Sequence, residues 1–182
     1  MISEVKQFIE DNIDLIDQND FDTLYIKADF AREGFMTPAS VTRELLDAGI
    51  DPMEYLTFVP SEYMYQFSDI TKVPWPTRRF DLIKTRAFGY CKNITEVIIP
   101  EGVMMIGSMA FAGCAKLTKL HLPKSLVSLG HTAFFGTAIE EITYAGTVAQ
   151  WQAVEQNPNW LSKARAATLH VHCLDGDVKP EA

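Results

Sequence analysis

The sequence has few cysteines, no long apolar run and no basic N-terminal segment, and each absence excludes a class of protein. Three cysteines among 182 residues are too few, and an odd number, for a disulfide scaffold, and this usage fits a reducing compartment. No apolar run reaches the roughly 18 residues of a membrane-spanning helix. The opening residues, MISEVKQFIEDNIDL, lack the basic and apolar regions of a secretory signal. We therefore expect a cytoplasmic protein without a membrane partner.

Motifs for catalysis and metal binding are missing as well. The chain has no glycine-rich phosphate loop, no HExxH pair and no nucleophile elbow. The segment DQNDFD resembles the start of a calcium loop, but Asp22 replaces the required glycine and Ala28 replaces the bidentate carboxylate. His170 and His172 share one face of a predicted strand whereas Cys173 faces the other, so they do not predict a closed zinc site. We predict that the protein is not an enzyme and needs no cofactor or metal.

The acidic residues are concentrated in the first third of the chain. The formal net charge is −8, but residues 1–66 hold 14 acidic and 4 basic side chains, whereas residues 67–182 hold 10 and 12. This imbalance predicts two regions with different surfaces and argues against nucleic acid as a partner. Six acidic residues near the first predicted helix form either a solvated face or a functional acidic surface: Glu10, Asp11, Asp14, Asp17, Asp20 and Asp22.

The centre of the sequence repeats one unit every 23 residues. AFGYCKNITEVIIP begins at Ala87, AFAGCAKLTKLHLP at Ala110 and AFFGTAIEEITYAG at Ala133. Each Ala-Phe pair precedes a turn and then an LxxLxL-like run, which is typical of a short strand in a solenoid coil. Pro100 and Pro123 end two of these strands. Because such a coil cannot bury its own apolar edge, the coils must stack.

The rest of each unit predicts a second wall and a corner. Val103 and Ile106 have the spacing of an inward-facing segment, and Gly107 permits the corner that follows. An irregular earlier copy has Lys84 in the position of Gly107. We therefore expect an α+β protein with parallel strands, in which a solenoid of about 3.5 coils starts near Asp69.

These repeats resemble the BspA-like leucine-rich repeat, whose consensus is similar to IGxxAFxGCxxLxxIxIPxxV. The copy IGSMAFAGCAKLTKLHLP is close to it, and the resemblance covers roughly residues 70–143. YAGTVAQWQAV, Trp160 and VHCLDGDV are similar to the unit that closes such arrays. The resemblance implies a short solenoid that serves as a binding surface. The family includes bacterial adhesins. Because the sequence shows no leader or wall anchor, that role does not carry over directly, and an adhesin-like binding protein is an alternative.

The N-terminal region predicts a helical cap on the solenoid. SEVKQFIEDNIDLI has apolar residues at helical spacing, with Ser3 available as N-cap, and FDTLYIKADFA predicts a further helix. Thr37 and Pro38 mark the start of another helix and Gly49 marks its end. DPMEYLTFVPSEYMYQF predicts a short helix against the first coil. The expected division is a cap at 1–66, a solenoid at 67–143, and a C-terminal capping unit and tail at 144–182.

Two solenoid walls carry the candidate contacts for a partner. Outward columns of alternating charge can bind a partner or can support the stack of strands. Outward methionines adapt to a partner, unless the cap or a second copy covers them. The candidates are Glu96, Ile98, Lys119, His121 and Glu141 on the strand wall, and Met104, Met105, Met109 and Phe135 on or beside the opposite wall. Cys91 and Cys114 occupy equivalent positions and are either buried thiols or a disulfide or metal pair.

These features favour a non-catalytic protein–protein interaction module with a protein partner, and they leave homo-oligomer formation open. An alternative is an inhibitor or mimic of the type that phages use, whose acidic N-terminal region blocks a basic site on a host enzyme. Four basic residues of the irregular first coil either neutralise the acidic cap or bind an acidic partner: Arg78, Arg79, Lys84 and Arg86.

Overall fold

The computed structural model describes residues 2–31, 36–162 and 166–180, and its first part is helical. The helices of this part are α1 (Ile2–Asp11), α2 (Ile13–Asp17), α3 (Phe21–Phe30), α4 (Pro38–Asp47) and a 3₁₀ helix (Pro52–Glu54). The predicted limits of α4 are confirmed. Thr37 forms a reciprocal capping box with Ser40, and Gly49 follows the helix at a φ of +80°.

The first helix differs from its prediction in two respects. It begins at Ile2, so Ser3 lies inside the helix and is not its N-cap. The helix also stops at Asn12, whose side-chain amide donates to the carbonyl of Phe8 at 2.8 Å and thereby takes the acceptor that the next helical turn would use. As a result Ile13, which the helical spacing placed on the apolar face, is 52% exposed.

The solenoid has two walls of short strands, and their arrangement confirms the predicted α+β fold. Sheet A consists of β1 (Leu82–Ile83), β3 (Met105–Ile106), β5 (Ser128–Leu129) and β7 (Glu155–Gln156). Sheet B consists of β2 (Glu96–Ile98), β4 (Lys119–Leu122), β6 (Glu141–Tyr144), β8 (Val171–Cys173) and β9 (Gly176–Val178). These strands pair in parallel except for the antiparallel pair β8–β9.

Aromatic rings stack through the centre of the coils from one end to the other. Phe111 lies 5.3 Å from Phe88 and 5.2 Å from Phe134 between ring centroids. At the cap end, Tyr63 contacts both Phe88 and Tyr25 of α3, while Trp160 contacts Phe134 at the other end. We call this set the aromatic column; its members are Tyr25, Tyr63, Phe88, Phe111, Phe134 and Trp160, and all are buried.

The array of coils begins earlier than the expected start near Asp69. Val59 pairs in parallel with Ile83, and the backbone N–H of Met64 donates to the carbonyl of Ala87 at 2.8 Å. The short helix predicted over the segment DPMEYLTFVPSEYMYQF is wrong beyond residues 52–54 for this reason, because the backbone from Val59 onwards bonds to the next coil. We propose that the boundary between cap and solenoid lies near residue 58.

Sheet B starts one coil later than sheet A because of proline. The segment that precedes β2 by one coil contains Pro74 and Pro76, which have no N–H to donate to a ladder, and it forms no strand. Trp75 lies between these prolines, and its ring contacts Phe80 and Phe88 at centroid distances of 5.8 and 5.6 Å. On the side of sheet B, the irregular coil is therefore held to the core by an aromatic side chain, whereas its other backbone segments bond to the next coil.

The cap is joined to the solenoid by polar contacts as well. Arg43 of α4 donates two hydrogen bonds to Asp69, at 2.8 and 2.9 Å, and its guanidinium lies over the ring of Phe67. These bonds lower the pKa of Asp69 to about 2. Asp22 of α3 accepts hydrogen bonds from the backbone and the hydroxyl of Thr57. The helices are thus fixed to the first coil through Asp69 and to the linker before it through Thr57.

The C-terminal unit continues both walls and closes them. Strand β7 extends sheet A and β8 extends sheet B, after which β9 turns back along β8. Helix α5 (Val148–Gln152) begins with a capping box between Thr147 and Gln150. It buries Trp151 against Trp160, at a centroid distance of 6.0 Å. The last coil is therefore covered by aromatic side chains.

Glycine at the corner after sheet A is required by close backbone approach. A Cβ atom on Gly130 would lie 2.5 Å from the backbone nitrogen of Ser108, and one on Gly107 would lie 2.8 Å from the carbonyl carbon of Lys84. Both distances are shorter than any van der Waals contact. The neighbouring atoms belong to the backbone, which cannot rotate away as a side chain can. These glycines therefore set how closely successive coils can stack.

Removal of one ring from the aromatic column should destabilise the protein strongly. We expect Phe111→Ala to lower the free energy of unfolding by about 3–5 kcal/mol, because it leaves a cavity between two fixed rings. Phe135→Ala is the matched control: this neighbouring ring is 50% exposed and should lose about 1 kcal/mol or less. Urea unfolding followed by circular dichroism measures both values, and similar losses for the two variants would contradict a stacked core.

A methyl group at the solenoid corner should cost more than one on an open turn. We expect Gly130→Ala to lose about 3 kcal/mol or more through overpacking against the preceding coil. Gly49→Ala is the control, since no atom lies within 4 Å of its Cβ position, and the positive φ alone costs about 1–2 kcal/mol. Thermal or urea unfolding gives the comparison; equal losses would show that the coils are not in close backbone contact.

Candidate interaction surfaces

The outer face of sheet A carries an exposed apolar cluster. Strand register aligns Leu82, Met105 and Ser128 on this face, while Ile106 and Leu129 point into the core. Met104, which precedes the two-residue strand β3, is also turned outward. The backbone N–H groups of Met104 and Met105 both donate to the carbonyl of Asp81, so the regular alternation of the strand does not extend to Met104. The exposed side chains, which we call the Met wall, are Met104 (45%), Met105 (49%) and Val127 (48%).

The sequence located most of the Met wall but not all of it. Met104 and Met105 are outward as expected, and the described cap residues leave them exposed. Met109 is half-buried at the corner that follows β3, with a φ of +58°. Val127, which stands one coil after Met104, is exposed and apolar and completes the cluster, although it was not among the predicted contact residues.

A groove lies beside Met104, between the cap linker and the first two coils. Its volume is about 760 Å³ and it is open to solvent. Apolar parts of Phe58, Phe80, Leu82 and Met104 form most of its lining, and Arg79 and Asp81 contribute charge at its rim together with polar contributions from Thr57, Gly102 and Ser125. No pattern in the sequence indicated this groove, because its walls come from four separate stretches of the chain.

The strand wall, sheet B, carries the predicted outward columns. Register places Glu96, Lys119 and Glu141 side by side, and the Lys119 ammonium lies 3.7 Å from the Glu141 carboxylate. An exposed pair of this kind contributes about 0–1 kcal/mol. His121 lies in the next column between Ile98 and Thr143. The placement of these residues agrees with the sequence, while their role in binding remains a prediction.

Polar groups on sheet B are largely satisfied by one another. His121 contacts the Thr143 hydroxyl through Nδ1 at 2.7 Å and the Glu96 carboxylate through Nε2 at 3.1 Å. His172 pairs in register with Thr143 and contacts Asp177 at 2.9 Å. A shallow cavity of about 450 Å³ runs along this side of the sheet towards the exposed side chain of residue 174. Ile98 and Leu174, 58% and 76% exposed, are apolar side chains on this wall.

The six acidic residues near the first helices do not form one surface. Asp20 caps α3 by accepting a hydrogen bond from the backbone of Thr23, and Asp22 binds Thr57. These two carboxylates therefore stabilise the cap. The other four are exposed: Glu10, Asp11, Asp14 and Asp17.

The basic residues of the first coil contact the cap only in part. Arg86 pairs with Glu62 at 3.3 Å, and Arg78 donates to the backbone carbonyl of Tyr55 at 3.0 Å. Lys84 lies 4.1 Å from the ring centroid of Phe58. In the described part of the chain, these contacts do not reach the exposed carboxylates of α1 and α2. The basic side chains of the first coil therefore do not pair with the exposed carboxylates of α1 and α2.

The equivalent cysteines of the first two regular coils are core residues. Cys91 donates to the carbonyl of Met64 at 3.0 Å, and Cys114 donates to the carbonyl of Phe88 at 3.2 Å. Both thiols are free and buried. Burial raises the pKa of Cys91 to about 12 and raises that of Cys114 further, so neither is a reactive thiolate at neutral pH.

A corner of aromatic side chains lies at the turn after the Ala-Phe pairs. Tyr90, the residue that departs from glycine in the repeat, stands over Gly113, where a Cβ would lie 2.6 Å from its ring. Tyr65 contacts Tyr90 edge to face at 5.6 Å. Phe135 is 50% exposed two coils away. Tyr90 is thus accommodated because the following coil has no side chain beneath it.

The stacked coils and their register match one known type of repeat. A family model described as a BspA type leucine rich repeat region, with six copies, matches residues 59–154. The chain belongs to the BspA-type leucine-rich repeat family. The match starts at Val59, where the backbone ladder of this BspA-type array also starts. No curated protein and no solved structure matches the chain.

Among the described residues, no group of three or more His, Cys, Asp or Glu side chains is arranged to hold a metal ion. In the same residues, no helix is long and apolar enough to cross a membrane.

Thiol reactivity should distinguish the buried cysteines from the partly exposed one. We expect a colorimetric thiol reagent to modify only Cys173 in the native protein, and all three cysteines after denaturation, because Cys91 and Cys114 are buried and protonated. The native Cys173→Ser variant should not react. Modification of two or more thiols before unfolding would contradict this assignment.

Proposed function

We propose that this protein is a non-catalytic interaction module that binds a protein partner through the outer surface of its solenoid. The observation that carries the proposal is the Met wall, an apolar cluster exposed on a regular array of coils. Repeat arrays present extended surfaces of this kind to partners. The three free cysteines also fit a reducing compartment, which supports a cytoplasmic location.

The Met wall is better suited to binding than the strand wall. Methionine side chains are flexible and polarizable, so they adapt to the shape of a partner. Exposed apolar atoms gain about 25 cal/mol per Å² when a partner covers them. On sheet B, by contrast, His121 already bonds to Thr143 and Glu96, and Lys119 pairs with Glu141. A partner there would have to replace contacts that the protein makes with itself.

A second candidate function uses the acidic helices. Glu10, Asp11, Asp14 and Asp17 are exposed over α1 and α2, which supports an inhibitor or mimic that occupies a basic site on an enzyme. Asp20 and Asp22 are engaged within the cap, which reduces this surface. Binding through these carboxylates would weaken steeply with salt, since exposed charges are screened within about 10 Å at 0.1 M.

Affinity capture from the source organism tests the proposed function. We expect the wild-type protein to retain a stoichiometric partner, and we expect the variant with Met104→Ser, Met105→Ser and Val127→Ser to lose it while remaining folded. The variant with Ile98→Ser and Leu174→Ser, which removes two exposed apolar side chains of the other wall, is the control and should keep the partner. Quantitative mass spectrometry of the retained proteins gives the comparison.

Two outcomes would count against this assignment. If the triple Met-wall variant keeps the partner and the variant with Ile98→Ser and Leu174→Ser loses it, binding belongs to sheet B. If all variants bind no protein above a denatured control, the protein is not an interaction module of this kind.

A further inference from the structure

The first strand of sheet B, β2, has one edge without a partner strand. On its other edge it pairs with β4, where the N–H of Ile99 donates to the carbonyl of His121 at 2.9 Å. The backbone groups of successive residues in a strand point to alternate sides. The N–H and C=O groups of Glu96 and Ile98 therefore point away from β4, towards the irregular first coil.

Two prolines account for this open edge. In the 23-residue repeat, Pro76 stands one coil before Ile99, and Pro74 stands two residues earlier. In a regular ladder, the N–H groups at these two positions would donate to the carbonyls of Ile98 and Glu96, just as Ile99 donates to β4. Proline has no N–H. The preceding coil therefore cannot satisfy these two carbonyls through ladder hydrogen bonds.

A cavity of about 210 Å³ lies between the open edge and the irregular coil. Glu96 and Ile98 line one side of it, and Val73 and Trp75 line the other. In the described part of the chain, residues 70–76 form no backbone–backbone hydrogen bond. A strand rises about 3.3 Å per residue and lies about 4.8 Å from its neighbour, so this volume is on the order of two to three residues of backbone. Both edge side chains are exposed, so the edge can be reached from solvent.

The hydrogen-bonding pattern of this edge defines its occupant as an extended backbone. An antiparallel segment satisfies both N–H and both C=O groups with only two residues, whereas a parallel segment needs groups from a span of about five. Charge makes no selection, since Lys72 and Glu96 both line the cavity. The irregular coil stands beside the edge, so a folded domain, including a second copy of this chain, cannot approach it as closely as one extended segment can.

We propose that β2 binds a short extended segment of a partner protein by antiparallel strand addition, with four backbone hydrogen bonds to Glu96 and Ile98. The residue opposite Ile98 is β-branched and apolar, because that side chain is 58% exposed and such cross-strand pairs stabilise a sheet. The residue opposite Glu96 carries a hydroxyl that donates to its carboxylate. This site goes beyond the proposed function, which concerns the Met wall, and it leaves the contact between His121 and Thr143 in place.

A defined peptide and its backbone-methylated forms test the proposal directly. The probe is the fluorescein-labelled heptapeptide STVATTS, which places its valine opposite Ile98 and its middle threonine opposite Glu96. We expect methylation of the backbone nitrogens of these two peptide residues to weaken binding at least tenfold, because it removes both donors to β2. Methylation of the first and last threonines, whose nitrogens point away from β2, should change the affinity less than threefold. Fluorescence anisotropy measures the affinities.

Amide hydrogen exchange locates the bound peptide. In the free protein we expect the amides of Glu96 and Ile98 to exchange rapidly. The amides of Lys119 and His121, which hold the same positions one coil later and face β2, should be protected. Saturating STVATTS should slow exchange at Glu96 and Ile98 at least tenfold and leave the later pair unchanged.

The chain also offers a matched pair of variants. Ile98 and Val127 are both β-branched and are 58% and 48% exposed, but they lie on different walls. We expect Ile98→Glu to reduce the affinity for STVATTS at least fivefold, because it removes the apolar contact with the peptide valine, whereas Val127→Glu should change it less than twofold. The methylated peptides require no change in the protein, so they keep the test independent of the folding of either variant.

Several outcomes would overturn the proposal. They are equal binding of the two methylated peptides, no saturable binding of STVATTS up to millimolar peptide, and protection of the Glu96 and Ile98 amides in the free protein. If that protection rises with protein concentration, a second copy pairs at the edge. If the peptides fail while capture still finds a partner that depends on the Met wall, the edge assignment falls and the proposed function stands.

Discussion

Each coil of this protein has an apolar edge that only a neighbouring coil can cover, and the ring of Phe111 between Phe88 and Phe134 is the centre of this dependence. The two ends of such a stack would expose the same edge to water. Tyr63, in contact with α3, covers it at the cap, and Trp160 covers it at the C-terminal unit. The helices and the terminal unit are therefore parts of one core, and their presence follows from the solenoid's need for closed ends.

This arrangement separates the residues that build the fold from those available for binding. Residues that recur at equivalent positions of the regular coils, such as Phe88, Phe111 and Phe134, are buried and shape the stack. Residues that differ between coils lie on the outer faces, and there Met104 and Val127 can change without changing the core. The groove lies on the side of sheet A, where the cap linker at Thr57 and Phe58 meets the first coils.

The sequence predicted those features that one local pattern or one repeated position encodes. The Ala-Phe pairs fixed strand direction, register and stacking together, and Thr37 with Pro38 defined a helix start by local hydrogen bonding. The irregular first coil was expected, but its start before Asp69 was missed. Tyr63 and Met64 replace the Ala-Phe pair there, and the backbone bonds that hold this part to the next coil leave no pattern in the side chains. The break at Asn12 was missed because helical spacing continues across it. The groove joins residues far apart in the chain, so no local pattern could show it.

The central claim is that the cap-side coil and the regular coils form one cooperative stack. The amides of Met64, Phe88, Phe111 and Phe134 each donate to the following coil at 2.7–2.8 Å. Native-state hydrogen exchange of these four amides is the most direct test, because it reports the opening free energy at each coil. The account predicts one shared opening free energy, equal to that of global unfolding. Exchange of Met64 through a separate opening of lower free energy would contradict it, since the cap and first coil would then fold as an independent unit.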